Sequence, residues 1–151
     1  MTGIKKLVIW VLMFGTVLFT QSYFAQAQQF QAGASISDIT PFLGHSIVGN
    51  YNSPPATYIH DPLNVRTLVL DDGKQKLIFV IVDNVSIKKE VFDAAKQIVF
   101  KDLKIPAKNI MMAATHTHSG ISLGGGGLKS KSLGLDVALD EYQTFVVKRI
   151  V

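Results

Sequence analysis

The alternation of apolar and polar residues divides the chain into short strands and helices. Weak alternation over residues 32–39 predicts a strand that ends before a proline, because proline has no backbone donor and restricts the residue before it. Residues 65–70 and 77–82 predict two further strands, joined by a tight turn at an Asp-Gly pair. Residues 77–82 are apolar at consecutive positions, so we expect both faces of that strand to be covered.

A helix follows this hairpin. Ser86 is a suitable N-cap, and the helix is predicted to run to about Leu103. Its apolar residues recur at helical spacing and predict one buried stripe, made of Ile87, Val91, Ala95, Ile98 and Val99. Residues 110–115 predict another buried strand after the helix. A strand, a helix and a strand in this order predict a βαβ unit with parallel strands and a right-handed crossover.

A second amphipathic helix is predicted at the C-terminal end. Its apolar positions are Leu139, Tyr142, Phe145, Val146 and Ile150. The stripe is still running at Val151, and no Gly, Asn or Pro closes the helix, which indicates a truncated chain. A complete small protein that ends in a frayed helix is the alternative. The pattern as a whole predicts an α/β fold: a mixed sheet with a β-hairpin and a βαβ unit.

Residues 1–27 have the pattern of a secretory signal peptide. Lys5 and Lys6 precede the apolar run Leu7–Phe19, and Ala25-Gln26-Ala27 matches an A-x-A cleavage site. A spanning helix needs about 20 apolar residues, so this run is short for one. A retained N-terminal anchor is the alternative to cleavage. Export predicts a secreted or periplasmic protein.

The amino-acid composition limits the kinds of site that the protein can contain. Apolar residues make up 48% of the 151 residues and charged residues 17%, which suits a globular core. The chain has no cysteine, so any metal must be held by histidine, carboxylate or another oxygen ligand. Removing residues 1–27 leaves 13 basic and 11 acidic side chains. That balance is too even for a nucleic-acid partner.

The segment Thr115-His116-Thr117-His118 carries the sharpest chemical signal. In an extended chain, residues two apart point to the same side, so His116 and His118 are predicted to share one face where a parallel strand ends. Such an H-x-H pair suits a zinc site, or one imidazole can bind the metal while the other works beside it. Two exposed loop histidines are the alternative. His60 is a candidate for a further ligand, and His45 is interpreted as a surface residue.

Three other features are weaker. The glycine-rich run at residues 124–130 does not match a phosphate-binding loop, because Leu128 stands where the Walker pattern requires glycine. We interpret this run instead as a flexible loop that borders a site. Ser119 and Ser122 are nucleophiles only if a base activates them. Asp83 is either a carboxylate that orients a histidine or an ordinary strand-end residue.

The sequence resembles the N-terminal region of the neutral/alkaline, non-lysosomal ceramidases. The matching motifs occur in order over about residues 32–151. They are Ser37-Asp38-Ile39-Thr40-Pro41, Gly49, His60-Asp61-Pro62-Leu63 with Arg66, Leu68-Val69-Leu70-Asp71-Asp72-Gly73, Asp83 and Thr115-His116-Thr117-His118-Ser119-Gly120. The last block is the most specific. Ile121 departs from the pattern, since the family commonly has proline there.

The resemblance implies a secreted zinc amidohydrolase that cleaves the N-acyl bond of ceramide. By this resemblance His60 and His118 are Zn²⁺ ligands, and His116 is a catalytic residue beside the metal. Residues 28–151 are then the incomplete N-terminal part of a larger catalytic domain, and the remaining ligands lie beyond residue 151. The expected partners are a ceramide-like lipid amide and the rest of a longer chain, and contact with a membrane surface is compatible with such a substrate.

Two other functions are left open by the sequence. One is a secreted binding module that keeps the fold and the histidines without catalysis. The other is a hydrolase of the same fold that acts on another amide or an ester.

Overall fold

A four-stranded mixed sheet organises the structure. This computed structural model describes residues 29–124, 127–131 and 133–151. The strands are β1 (Gln31–Asp38), β2 (Asn64–Asp71), β3 (Lys76–Val82) and β4 (Ile110–Ala114), in the spatial order β1-β2-β3-β4. The first three strands pair antiparallel, whereas β3 and β4 run parallel. The predicted α/β fold, with its hairpin and its βαβ unit, is confirmed.

The Asp-Gly pair makes the predicted turn between β2 and β3. The Oδ1 atom of Asp72 accepts hydrogen bonds from the backbone N–H groups of Lys74 and Gln75, at 2.9 and 2.7 Å. Gly73 has a φ of 82°, which a residue with a Cβ rarely adopts. The resulting register sets Val65 opposite Val82, and Val82 is in turn level with Ala114 in β4. The carboxyl ends of β3 and β4 therefore meet at one edge of the sheet.

Two helices pack with the sheet into one hydrophobic core. They are α1 (Lys89–Leu103) and α2 (Glu141–Ile150), and a 3-10 turn at Ala107–Asn109 leads into β4. The core includes Val80 and Val82 from β3, Val91 from α1, and Val146 from α2, each at most 1% exposed. Fully burying one such side chain stabilises the fold by about 1.5 to 3 kcal/mol.

The opposite face of the sheet differs from the expectation. Leu77, Phe79 and Ile81 in β3 are only half-buried. On neighbouring strands Ile36 is 64% exposed and Met111 is 50% exposed. In the described part of the chain, this face is therefore covered only in part, less than predicted.

The start of α1 also differs from the prediction. Lys88 is the N-cap residue and makes no side-chain cap, and the helix begins at Lys89. The predicted cap, Ser86, instead donates its backbone N–H to the Oδ1 atom of Asn84, at 3.3 Å. Ile87 forms a parallel bridge with Leu123. These contacts hold residues 86 and 87 in a non-helical connection, so the helix starts later.

The C-terminal helix is fixed by a capping box. Asp140 accepts a hydrogen bond from the backbone N–H of Gln143 at 2.8 Å, and the Gln143 side chain accepts one from the backbone N–H of Asp140 at 3.1 Å. Before it, the short strands β5 (Ser130–Lys131) and β6 (Ala138–Leu139) pair antiparallel. β5 begins where the predicted flexible loop ends, and Leu139, predicted as the first apolar position of the helix, belongs to β6 instead. No helix among the described residues has the length and apolar character needed to cross a membrane. The predicted signal peptide, residues 1–27, lies outside the described residues.

Tyr142 makes the stability of the fold sensitive to alkaline pH. Its hydroxyl donates to the backbone carbonyl of Ile39 at 2.8 Å. Burial raises the pKa of Tyr142 well above its ordinary value, and the nearby Asp38 carboxylate adds to this effect. The folded pKa is higher than the unfolded value of about 10, so this stabilisation is complete below about pH 10 and is lost as the pH rises further.

We therefore expect the stability advantage of the wild type over Tyr142→Phe to shrink in alkaline solution. At neutral pH the variant should lose about 1 kcal/mol, because one hydrogen bond is removed. Urea unfolding of both proteins between about pH 8 and about pH 11 measures the difference. A difference in unfolding free energy that stays constant over this range would contradict the assignment.

Candidate functional site

Two loops converge at the sheet edge where β3 and β4 end. One is the proline-rich segment 41–63, and the other follows β4. The backbone N–H of Val48 donates to the carbonyl of Gly120 at 2.9 Å, and the two residues form an antiparallel bridge. The N–H of Ile39 donates to the carbonyl of Leu63 at 2.8 Å, which returns the first loop to the sheet. The topology thus brings residues about 70 positions apart in sequence into one surface.

The converging loops enclose an open cavity of about 630 Å³. Apolar side chains line much of its wall: Pro41, Phe42, Leu43, Ile47, Ile59, Leu63 and Ile121. Polar and charged residues complete the wall: His45, His60, Asp61, Arg66, Asp83, Thr117 and Ser119. Apolar and polar side chains line the cavity in similar measure, and a cleft that combines an apolar wall with convergent polar groups suits an organic ligand.

The histidines of the H-x-H segment lie beside this cavity and contact each other. The Nε2 atoms of His116 and His118 are 3.3 Å apart, and the rings pack edge to face with centroids 4.9 Å apart. The Nδ1 atom of His116 lies 2.7 Å from the carbonyl oxygen of Val85. A carbonyl oxygen only accepts, so Nδ1 carries the proton, and in the neutral ring Nε2 carries the lone pair.

The reason for this pairing is not the extended chain that the sequence suggested. β4 ends at Ala114, and His116 has a φ of 63°, in the left-handed region. A non-glycine residue in this region is uncommon and often marks a functional site. The chain therefore turns sharply between the two histidines, and the turn, together with the Val85 contact, brings the rings together.

His60 reaches the same cavity from the other loop. Its Nδ1 atom pairs with the Oδ2 atom of Asp61 at 2.7 Å, and its side chain is 83% exposed. Thr117 and Ser119, the neighbours of His118, line the cavity together with His60. Over the part of the chain that the structure describes, no three His, Asp or Glu side chains are gathered as a metal site. A joint site of His60 and His118 therefore stays a prediction. His45 is exposed, as expected for a surface residue, at the cavity wall.

Solved ceramidase structures share this fold. The neutral ceramidase from Pseudomonas aeruginosa has 24% identity and a TM-score of 0.57, and a ceramidase complexed with C2 has 21% identity and a TM-score of 0.59. The fold is that of part of a neutral ceramidase. Each similarity covers 81% of this chain and 20% of the ceramidase chain, so the chain spans about a fifth of their length. No protein-family model and no curated protein matches the sequence.

In this ceramidase-like fold, Asp83 binds an arginine instead of a histidine. Its Oδ2 atom accepts from Arg66 Nη1 at 2.7 Å and from the backbone N–H of Asn64 at 3.0 Å. The interpretation of Asp83 as a carboxylate that orients a histidine was therefore wrong, and the strand-end alternative describes it better. The guanidinium keeps further N–H donors for the cavity, because arginine has five.

Asn84 is the structural residue that the sequence reasoning missed. It is completely buried, and its Nδ2 donates to the carbonyl of Ile121 at 2.6 Å. Its Oδ1 accepts from the backbone N–H of Leu123 at 3.1 Å. One amide thus fastens the loop that follows the histidines to the end of β3. An asparagine directly after a buried strand was the available signal, since its side chain readily bonds nearby backbone.

Among the described residues, no base contacts the hydroxyls of the two serines of this loop. The hydroxyl of Ser122 accepts from the backbone N–H of Gly124 at 2.8 Å. Within the described residues, neither the Ser119 hydroxyl nor the Ser122 hydroxyl is hydrogen-bonded to an imidazole or a carboxylate. A serine nucleophile in this segment therefore has no support from the geometry.

Proposed function

We propose that this chain is the N-terminal part of a secreted zinc-dependent amidohydrolase that cleaves the N-acyl bond of ceramide or a related lipid amide. The observation that carries the proposal is the pair of imidazole nitrogens, 3.3 Å apart, on a ceramidase-like fold. In this proposal His118 and His60 are zinc ligands, and His116 is the catalytic residue beside the metal.

The histidine pair fits a zinc ion. Neutral imidazole nitrogens are among the usual ligands of zinc. The Nε2 atom of His118 lies 3.3 Å from that of His116, so a zinc ion held by His118 would have the His116 imidazole next to it. His116 keeps its Nδ1 occupied by the Val85 carbonyl, and such a contact commonly orients a histidine at a metal centre. His60 is oriented in a similar way by Asp61.

The proposed zinc ion and His116 have different roles in the reaction. A zinc ion in such a site supplies a bound water of lowered pKa and polarises the amide carbonyl. The Nδ1–H of His116 is held by the Val85 carbonyl, so its Nε2 lone pair would face the reacting centre, where it could take a proton from the attacking water and pass it to the leaving amine. The overall reaction breaks the C–N bond, adds water across it, and yields a carboxylic acid and an amine.

The cavity suits the apolar part of such a substrate. Phe42, Leu43 and Ile59 are large apolar residues that stay exposed at its wall. A lipid tail placed against them would remove this surface from water, which favours binding. Arg66 and Asp61 offer polar contacts for a head group on the same wall.

A substrate panel tests this function. Protein expressed from the complete reading frame should release sphingosine and fatty acid from ceramide, as measured by mass spectrometry. A chelator should abolish the release and added zinc should restore it. A short-chain acyl amide and a matched ester separate a ceramidase from a hydrolase of another substrate. Failure to hydrolyse any member of the panel with zinc bound would overturn the enzymatic proposal.

One observation favours a non-catalytic binding module as the second candidate. The described residues offer two proposed zinc ligands, His60 and His118, without a gathered group of three, and catalytic zinc sites usually have three protein ligands. We propose that the missing ligands lie beyond residue 151. A reading frame without further ligand residues there would favour the binding module.

Export is part of the same proposal. The A-x-A pattern at residues 25–27 supports signal cleavage after Ala27, in which case the secreted or periplasmic protein would begin at Gln28. N-terminal sequencing of exported protein checks this, and a retained residue 1 would indicate an anchor instead.

A further inference from the structure

We propose that Gly49 is a positioning residue for the imidazole of His118. A Cβ atom built on Gly49 would lie 2.6 Å from the Cγ atom of His118 and 2.9 Å from its Cβ atom. Folded proteins essentially never contain contacts this short between carbon atoms that are not bonded. The missing side chain at position 49 thus leaves the space that the His118 ring occupies. The importance of the ring for zinc rests on the proposed function.

The surrounding contacts prevent the two segments from moving apart. Val48, one residue before Gly49, is bridged to Gly120, two residues after His118. Gly120 itself lies against Leu63, since a Cβ there would be 2.9 Å from a Leu63 methyl carbon. A side chain at position 49 would therefore displace the His118 ring instead of widening the gap between the loops.

Displacement of this ring would alter the histidine pair directly. The far end of the His118 ring is its Nε2 atom, which lies 3.3 Å from the Nε2 atom of His116. The His116 ring is held by the Val85 carbonyl and does not follow freely. If the Cβ and Cγ atoms of His118 move by a few tenths of an ångström or more, the Nε2 atom, which we assign as the zinc ligand, moves as well.

The same loop provides a matched control. Gly44 has a φ of 93° and Gly49 a φ of 105°, so both adopt a backbone conformation that residues with a side chain rarely accept. A Cβ atom at Gly44 would meet nothing within 4 Å. Gly44→Ala therefore introduces backbone strain alone, whereas Gly49→Ala introduces backbone strain and the contact with His118.

The experiment compares the two alanine variants with the wild type. Zinc affinity is measured by competition with a chromophoric chelator, and the His118 ring is followed by side-chain ¹⁵N–¹H NMR. We expect Gly49→Ala to weaken zinc binding by about 10- to 100-fold and to shift the His118 ring signals, as for loss of other supports of metal ligands. Gly44→Ala should leave both readouts near wild type. Equal zinc affinity in the two variants, with unshifted His118 signals, would overturn the proposal.

A double-mutant cycle keeps the proposal testable if Gly49→Ala does not fold. In a His118→Gly background the ring and its Cβ atom are gone, so Gly49→Ala should lower the urea midpoint only as much as Gly44→Ala does. An equal loss of midpoint in the two backgrounds would refute a contact with His118. If wild-type protein binds no zinc, the proposed function fails, whereas the cycle and the NMR signals still decide the role of Gly49.

Discussion

His118→Ala is expected to weaken zinc binding by at least about 100-fold and to abolish ceramide hydrolysis. The variant removes a proposed ligand, and loss of a group that merely supports a ligand already costs about 10- to 100-fold in metal affinity. The His118 ring packs against His116, so its removal also leaves the Nε2 atom of His116 without its neighbour. Zinc content by mass spectrometry and affinity by chelator competition measure the effect.

His45→Ala is the matched control for this prediction. His45 is an exposed histidine on the wall of the same cavity, and its change should leave zinc content unaltered. Zinc content in His118→Ala equal to that in His45→Ala would remove His118 from the ligand set.

Zinc content also distinguishes the proposed roles of His60 and His116. His60→Ala should lose zinc together with His118→Ala, because the proposal assigns both as ligands. His116→Ala should retain most of its zinc while losing hydrolysis. Loss of zinc in His116→Ala would instead make the adjacent pair the chelating unit, which their separation of 3.3 Å also accommodates.

Asn84→Leu is expected to lower the free energy of unfolding by about 3 kcal/mol. Leucine is similar in size but offers no polar atom, so the carbonyl of Ile121 and the N–H of Leu123 lose their partner inside the protein. Each buried polar group left without a hydrogen bond costs about 1 to 3 kcal/mol. Urea unfolding measures the change.

Asn109→Leu is the control for the buried asparagine. The Nδ2 atom of Asn109 also donates to a backbone carbonyl, that of Lys76 at 2.9 Å, but this bond is solvent-exposed. Water can replace it, so we expect a loss of no more than about 1 kcal/mol. Similar losses in the two variants would contradict the view that Asn84 fastens the histidine loop.

The strands and helices followed closely from local sequence. The Asp-Gly pair and the flanking apolar runs placed β2 and β3 to within a residue or two, because turn chemistry and period-two patterning act over a few residues. The parallel pairing of β3 and β4 followed from the intervening helix. The cap of α2 could have been recognised as well, since Asp140 and Gln143 have capping-box spacing.

The site depended on contacts that no local pattern encodes. Ser86 resembled a helix cap, yet Ile87 forms a bridge with Leu123, which keeps the chain extended, and the helix begins only at Lys89. His116 and His118 meet because of a left-handed turn and the Val85 carbonyl, which is 31 positions away from His116 in sequence. The H-x-H spacing therefore predicted that the two rings lie together, but for a reason that the structure corrects.

The hydrogen-bond partner of Asp83 also could not be predicted from local sequence. From the sequence, a carboxylate at a strand end could serve a histidine or a neighbouring strand. The antiparallel pairing of β2 and β3 brings Arg66 to Asp83, and a charge-assisted hydrogen bond to a guanidinium is stronger than one to a neutral donor. Only the strand register decides between the two.

Anomalous diffraction from zinc-loaded crystals, recorded on both sides of the zinc absorption edge, shows directly whether His118 binds zinc. We expect a zinc peak about 2.0 to 2.1 Å from the Nε2 atom of His118, at the edge of the cavity. A fully occupied zinc peak elsewhere, or none in protein that hydrolyses ceramide, would contradict the assignment of His118 as a zinc ligand.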